Sequence, residues 1–517
     1  MGMRREYYFY SILLITLIIL SYTQPFMRYP YDIWEHLFIM DSEYTNLVNM
    51  PEDRKIWHYL WSNIFETIGI DNSQIFLRAK IIHIVQIWLS FFAIFAFSRV
   101  SIRIVIRDID GITTNYMALW STLIWFTIFA TFSLHYHQVW IMWYSVNYQI
   151  SLPLFWYGIS LILVLLFESN STPIKLFYIL QTLSIFIFII LIHPMEFLYL
   201  LIYLSVLSMI YIDIVWIYMK RYYIYIIPAI LAITMGIKYR YHDQLPPIIE
   251  YLSIDRLPQL YHLIEKNGDI LVLQGFNRAF ASFNELMILS LILGIGVLIL
   301  SIFRRLRHLD SIVYFRFYLF LLVTSLLVLV PIFEFSAGLA SIITKVEVVN
   351  RFYYSASIFL ILPISIFYIG KLLYRDLSSN IKIFNAVVTI VILSTILYSR
   401  DFTTNKRYYK NIKSFEYSFQ SDIVGFHLSK DNIADIGKKL REYENSRDHT
   451  KEVLYLARGD IAMVLKYIYR VNVYWRGRST NPTYQNMVDY KRNKGSDRVE
   501  IIIFDPPRDL PNYLPYQ

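Results

Sequence analysis

The residues of this chain that can do chemistry sit at the edges of long apolar runs. The sharpest group is Tyr29-Pro30-Tyr31-Asp32-Ile33-Trp34-Glu35-His36-Leu37. Pro30 suits the first turn of a helix. A helix starting there places Asp32, Glu35 and His36 at i, i+3 and i+4 on one face, with Ile33 and Leu37 as an apolar stripe beside them. A carboxylate next to an imidazole can take the proton from a hydroxyl nucleophile. The same acids would equally complement a helix dipole, with His36 an ordinary polar neighbour.

Three further groups share this edge position. His193 and Glu196, in Leu191-Ile192-His193-Pro194-Met195-Glu196, close a strongly apolar run. Such groups are costly there unless paired or wetted, although Pro194 also marks a plain interhelical turn. His135 and His137 are followed by Trp143-Tyr144-Ser145-Val146-Asn147-Tyr148. Two histidines at i, i+2 are metal-ligand types without a defined third ligand. Tyr144 and its neighbours suit an interfacial belt, or a surface that stacks on sugar rings, with Asn147 as a polar partner. In Val349-Asn350-Arg351-Phe352-Tyr353-Tyr354-Ser355, Arg351 can grip a phosphate through its two-pronged guanidinium, with Tyr353 beside it. Arg351 can instead pair with Glu347 at i, i+4, or snorkel to an interface.

The elements that must position these groups are transmembrane helices. The 517 residues are 56% hydrophobic and only 17% charged, and the mean hydropathy is +0.44. That is too apolar for a soluble chain of this size, and the apolar residues come in runs of roughly 18 or more. About eleven spans are expected, over 7–23, 79–97, 117–134, 150–167, 175–192, 197–216, 222–237, 286–303, 314–333, 352–370 and 384–398. The first follows Arg4 and Arg5 and lacks a small-x-small cleavage site, so an uncleaved anchor is expected. Many of the 44 Tyr and 11 Trp fall near span ends, as interfacial anchors do. No cysteine is present, which excludes a disulfide framework and any Cys-based nucleophile or metal site. No P-loop or dinucleotide fingerprint occurs, and no nucleic-acid partner is expected.

Short basic loops set the orientation. Arg4 and Arg5, Arg99 to Arg107, Lys220 and Arg221, Arg304 to Arg307, and Lys371 with Arg375 all fall on one side if the N-terminus is cytoplasmic. The loop 135–149 carries no Lys or Arg. Asp32, Glu35, His36, His135, His137, His193, Glu196 and Arg351 then gather at the outer face, as an enzyme or a permeation path requires. The expected fold is mainly α: a polytopic helical bundle over 1–400, with a first outer loop 24–78. A small α/β domain over 401–517 follows on the outer face. Its strands are expected at 452–457, 471–475 and 499–505, and its amphipathic helices at 432–443 and 460–469.

An inside N-terminus, an acidic motif in the first outer loop, many spans, a late outer Arg and an outer C-terminal domain together form a pattern. It resembles the GT-C superfamily of integral-membrane glycosyltransferases. That superfamily includes protein O-mannosyltransferases, lipid A aminoarabinose transferases and oligosaccharyltransferases. The resemblance implies sugar transfer from a polyprenyl phosphate or pyrophosphate donor to a glycan, lipid or protein acceptor. It implies that an acid in the first outer loop is the base or orients the acceptor; Asp32 matches best and Glu35 next. The adjacent Asp-Glu pair of the first two groups is missing here, so the choice between them stays open. It further implies a basic residue on the donor phosphate, here Arg351. His36, His193 and Glu196 have no counterpart in those groups; their roles rest on the residues themselves.

The expected setting is a bacterial inner membrane, with the C-terminal domain periplasmic or extracellular. No cofactor is fixed: Asp32, Glu35, His36 and His193 are of types that ligate a divalent metal, but no spacing defines a site. A polysaccharide polymerase or ligase using lipid-linked sugars is one alternative; a membrane transporter is another.

Overall fold

The computed structural model describes residues 2–23, 56–71, 74–106, 109–130, 148–168, 171–192, 194–213, 285–304, 312–331, 333–343, 346–373, 430–457, 464–471, 473–475 and 480–504, with 216, 220, 261–262, 264–266 and 461–462. The expected spans 222–237 and 384–398 lie outside these residues. The described chain is mainly helical with a few strands, and falls into two compact units. One comprises Met1–Leu17, Leu89–Ile141 and Ser151–Lys410; the other comprises Ile18–Trp88, Met142–Ile150 and Asn411–Gln517.

In chain order the helices are α1 (Gly2–Thr23), α2 (Ile56–Thr67), α3 (Ile75–Val105), α4 (Gly111–Trp125), α5 (Tyr148–Phe167), α6 (Thr172–Ile192), α7 (Pro194–Ile210), α8 (Glu285–Arg304), α9 (Ile312–Ser325), α10 (Glu334–Ile343) and α11 (Ile358–Leu373). The stretches Ile84–Val105, Ile150–Phe167 and Pro173–Ile190 are each long and apolar enough to cross a membrane. The bent pair Phe315–Leu329 and Glu334–Ser341 makes a fourth when counted as one.

Burial shows which solvent these helices suit. Helix α11 is apolar all round, and Ile358, Phe359, Leu360, Ile361, Leu362 and Ile364 are fully buried against its neighbours α4, α8 and α9. Helix α6 is just as apolar, yet Leu176, Phe177 and Leu180 are more than half exposed. A helix that exposes such side chains is stable only in an apolar solvent.

Aromatic rings and hydroxyls hold the bundle together. Trp156 of α5 lies 4.8 Å from the Phe97 ring, 5.3 Å from Phe359 and 5.9 Å from Tyr203. Gly294 lets α11 approach α8 closely, because a Cβ there would collide with Ile361. The Tyr318 hydroxyl stitches α8, α9 and α11, donating to the Gly294 carbonyl at 3.1 Å and lying 3.1 Å from Ser365 Oγ. At one end of the bundle Arg316 Nη1 reaches both Asp213 carboxylate oxygens at 2.8 Å, and Arg103 pairs with Glu168 at 3.0 Å. The Tyr368 hydroxyl donates to the Val105 carbonyl at 2.9 Å in the same region of the chain ends. Phe167, the last residue of α5, links these contacts, its ring 5.3 Å from Tyr211 after α7 and 5.6 Å from Phe317 near the start of α9. The C-terminal ends of α3, α5, α7 and α11 therefore meet the N-terminal end of α9, which runs against the other four.

Two segments depart from the expected spans. The run 314–333 is not one straight helix. Helix α9 tightens into a 3₁₀ turn at Leu326–Leu329, and the chain then bends by 88° into α10. Pro331 lies at the break. The span expected from residue 352 begins later, because Val346–Ser355 is 3₁₀ and α11 starts at Ile358. At these breaks the freed backbone groups find side-chain partners, as an apolar setting demands. Ser357 Oγ donates to the Leu321 carbonyl at 2.8 Å and lies 2.6 Å from Thr324 Oγ1, and the Tyr203 hydroxyl donates to the Ser355 carbonyl.

The second unit contains α12 (Lys430–Ser446), β1 (Glu452–Ala457), β2 (Val473–Trp475), α13 (Thr480–Lys494) and β3 (Val499–Phe504). The strands form a parallel sheet in the order β2-β1-β3, with Tyr455 opposite Val473 and Ile502. Parallel pairing requires crossovers. A helical stretch ending in a π turn at Val464–Ile468 links β1 to β2, and α13 links β2 to β3. Buried on both faces, β1 reads as an almost unbroken apolar run. Val453, Tyr455 and Ala457 join Ile436, Leu440, Val464 and Leu465, while Leu454 and Leu456 meet Met487 of α13. The first core also takes in Trp61 and Phe65 of α2 and Ile82 of α3. Helix α2 therefore does not belong to an open loop. Gly69 ends it at φ +72°, with Ile70 N–H bonded to Phe65 O at 2.9 Å and Gly69 N–H to Glu66 O at 3.2 Å.

Glu444 is built into this unit by two donors. Burial alone would raise its pKa, but the Tyr455 hydroxyl and the Arg447 guanidinium, 2.5 Å away, both donate to it and hold it below the usual value. A lowered folded-state pKa stabilises the fold above the unfolded value of about 4.3. That contribution is lost as pH falls from there through the lower folded value. Glu444→Gln is therefore expected to be less stable than the parent at pH 7, with the difference shrinking as pH falls below about 4.3, as read by pulse proteolysis of the C-terminal unit. A constant difference across that range would contradict this.

Candidate functional site

Asp32, Glu35, His36, His135, His137, Tyr144, Asn147 and His193 lie outside the described residues. The remaining candidates are Glu196, Arg351 and Tyr353. Glu196 stands in the first turn of α7, directly after Pro194 and Met195, and is 4% exposed. Pro194 is preorganised for that turn, and a carboxylate there faces the positive end of the helix dipole. Burying an acid among apolar helices requires hydrogen-bonding or charged company, so its place in the sequence is not explained by packing alone.

Arg351 and Tyr353 stand in the 3₁₀ segment Val346–Ser355, and Tyr353 is buried. This segment packs on α7. Tyr199, one turn after Glu196, has its ring 5.5 Å from Phe352, the residue between Arg351 and Tyr353. Phe155 of α5 supports both turns of α7, at 5.9 Å from Tyr199 and 5.2 Å from Tyr203. Tyr203 then closes the contact through its bond to the Ser355 carbonyl. Two groups far apart in sequence are thus brought to neighbouring elements: the first turn of α7, with its buried acid, and the segment that carries the arginine. A helix N-terminus beside an arginine-bearing turn is a setting that can receive an anion.

A second polar cluster was not anticipated from the sequence. Tyr203, Thr324, Ser325, Ser355 and Ser357 are all buried where the 3₁₀ turn after α9 meets the break before α11. Ser325 Oγ lies 3.3 Å from Ser357 Oγ. The signals were the small polar pairs Thr324-Ser325 and Ser355-Ala356-Ser357 inside apolar runs. Among the described residues no three His, Asp or Glu side chains converge as metal ligands. Comparison with family models, with curated proteins and with solved structures gives no match.

Proposed function

We propose that this chain is a membrane glycosyltransferase that moves a sugar from a polyprenyl-phosphate or pyrophosphate donor to an acceptor hydroxyl at the outer face of the cell membrane. The observation that carries the reading is the packing of the buried Glu196 turn against the segment bearing Arg351. In this scheme Asp32 or Glu35, assisted by His36, takes the acceptor proton. The acceptor oxygen bonds to the anomeric carbon as the bond from that carbon to the phosphate oxygen breaks. Polyprenyl phosphate leaves with the electron pair, its growing charge met by Arg351 with Tyr353 beside it. The same scheme assigns His193, Glu196, His135, His137, Tyr144 and Asn147 to the acceptor side of the site. One displacement inverts the anomeric configuration; a retained configuration in the product would count against it.

Two features support the topology of about eleven spans with both the first loop and the tail outside. The ends joined by the Asp213–Arg316, Arg103–Glu168 and Tyr368–Val105 contacts are all ends that this topology assigns to the cytoplasm. Trp61, Phe65 and Ile82 share one core with the tail strands, so these segments lie on the same side of any membrane. An even number of crossings must separate them, and the proposed topology supplies about ten. One observation favours transport as a second reading. Two interrupted helices meet at the buried hydroxyls of Thr324, Ser325 and Ser357, and broken helices form the ion and substrate sites of many transporters.

The test needs no knowledge of the sugar. In lipid nanodiscs, polyprenyl phosphate is expected to raise the unfolding midpoint, whereas polyprenol is not. At a hundredfold excess over Kd, binding stabilises by about 2.7 kcal/mol. Equal shifts with both lipids, or no shift with either, would set the reading aside.

A further inference from the structure

Helix α10 has an edge that the bundle leaves uncovered. Phe333 and Phe335 are both 59% exposed and Leu339 is 45% exposed, while Ala337, Gly338, Ala340 and Ser341 on the other side are buried. Phe335 and Leu339 are one turn apart and share a face. The buried side is fixed: a Cβ at Gly338 would fall on the backbone carbonyl of Ile264, and α10 also packs on the 3₁₀ segment 346–355. The exposed edge is therefore not free to rotate inward.

The chain geometry says what covers it. Arg316, ion-paired with Asp213, marks one end of α9, and α9 with its 3₁₀ continuation is roughly 29 Å long. That nearly matches a hydrocarbon core of about 30 Å. The chain then turns by 88°. If α9 crosses a bilayer at an ordinary tilt of about 20°, α10 climbs no more than about 5 Å along its whole length. Val323 and Leu326, on α9 and its 3₁₀ continuation, are exposed apolar residues as well.

We propose that α10 is an interfacial helix, lying in the bilayer boundary opposite the Asp213–Arg316 pair with Phe333, Phe335 and Leu339 among the acyl chains of that leaflet. The inference rests on the membrane reading of the bundle. It adds a partner, the lipid surface, and a purpose. A flat helix held at the headgroup level fixes the height of the segment that follows it, which carries Arg351, so that a lipid phosphate and the guanidinium meet at one depth.

The chain contains no cysteine, so single-cysteine labelling needs no background removed. Phe335→Cys, Leu339→Cys and, as a reference on α6, Leu180→Cys would each be labelled with bimane. Each would then be reconstituted in phosphatidylcholine vesicles brominated either high in the acyl chain or near its end. The labels at 335 and 339 are expected to be quenched most by the shallow bromines, at equal depth, and the label at 180 by the deep ones. A depth difference of about 6 Å between 335 and 339 would mean that the helix runs along the membrane normal, and would overturn the proposal. So would labels at both positions that escape quenching while the label at 180 is quenched, with the unlabelled cysteines at 335 and 339 reacting with a membrane-impermeant maleimide. Failure of quenching at 180 as well would instead bring down the membrane reading itself. Phe333→Cys, exposed just ahead of the helix, takes over if either α10 variant fails to accumulate.

Discussion

Arg351→Ala is expected to lower sugar transfer by about 10²- to 10³-fold, mainly in kcat, the usual loss when one fixed donor to a developing negative charge is removed. The guanidinium is asked to stabilise the leaving phosphate more than the bound donor, and interactions that strengthen only in the transition state appear in kcat. Arg351→Lys is not expected to restore the rate, because a point ammonium cannot reproduce a two-pronged contact. The competing role is structural, a pair with Glu347 four residues earlier on the same segment. The two roles separate cleanly. A structural pair predicts that Glu347→Gln costs as much as Arg351→Ala and that both act through stability. A phosphate role predicts that Glu347→Gln stays near parental activity and that Arg351→Ala also abolishes the thermal shift with polyprenyl phosphate. Glu196→Gln is expected to act differently. Its amide keeps the shape of the α7 turn but replaces the buried carboxyl group on the element that packs against the arginine segment. Its effect should therefore fall on donor affinity before it falls on kcat.

The sequence makes some of this architecture plain and hides the rest for identifiable reasons. The central strand of the C-terminal unit stands out because a parallel strand buried on both faces is short and almost wholly apolar; 452–457 matches β1 residue for residue. The apolar helices α5, α6 and α8 start and stop within three residues of expectation, since each lies between polar turns. Helix α13 is not legible because Thr480–Lys494 is polar; among its described side chains Met487 and Tyr490 meet the sheet. The right-angle turn after α9 was missed because hydropathy carries no direction; Pro331 was its one local mark. In the site, the edge position of Glu196 and Arg351 could be read from apolar runs, but their meeting could not. It depends on Tyr199 packing against Phe352 and on Tyr203 reaching Ser355, contacts between segments about 150 residues apart, where residue pattern gives no pairing rule.

Phe65→Ala is expected to destabilise the C-terminal unit by about 3–5 kcal/mol, the range for emptying a buried aromatic site. Phe65 is fully buried although it belongs to a segment far from the tail in sequence. It stacks on Trp61 at 5.4 Å, lies beneath the Arg78 guanidinium at 4.9 Å, and shares a core with Ile436, Tyr455, Val464 and Leu465. Arg78 is itself tied down, its Nη2 donating to the Ile70 carbonyl at 2.6 Å, so the space left by Phe65 is not easily refilled. A small domain has only about 5–15 kcal/mol in total, so this loss should leave the tail open to protease at 37 °C. Tyr59→Ala, on the exposed side of the same helix, is expected to change stability by less than about 0.5 kcal/mol. The stronger form of the prediction concerns residues 411–517 produced alone. Without α2 and the start of α3, the face of the sheet formed by Val453, Tyr455 and Ala457 loses Trp61, Phe65 and Ile82, and the fragment should not unfold cooperatively. A fragment that folds as stably as the tail of the whole chain would show that α2 merely rests on a self-sufficient domain. The shared core would still put both segments on one side of any membrane, but the tail would not depend on α2 for its fold.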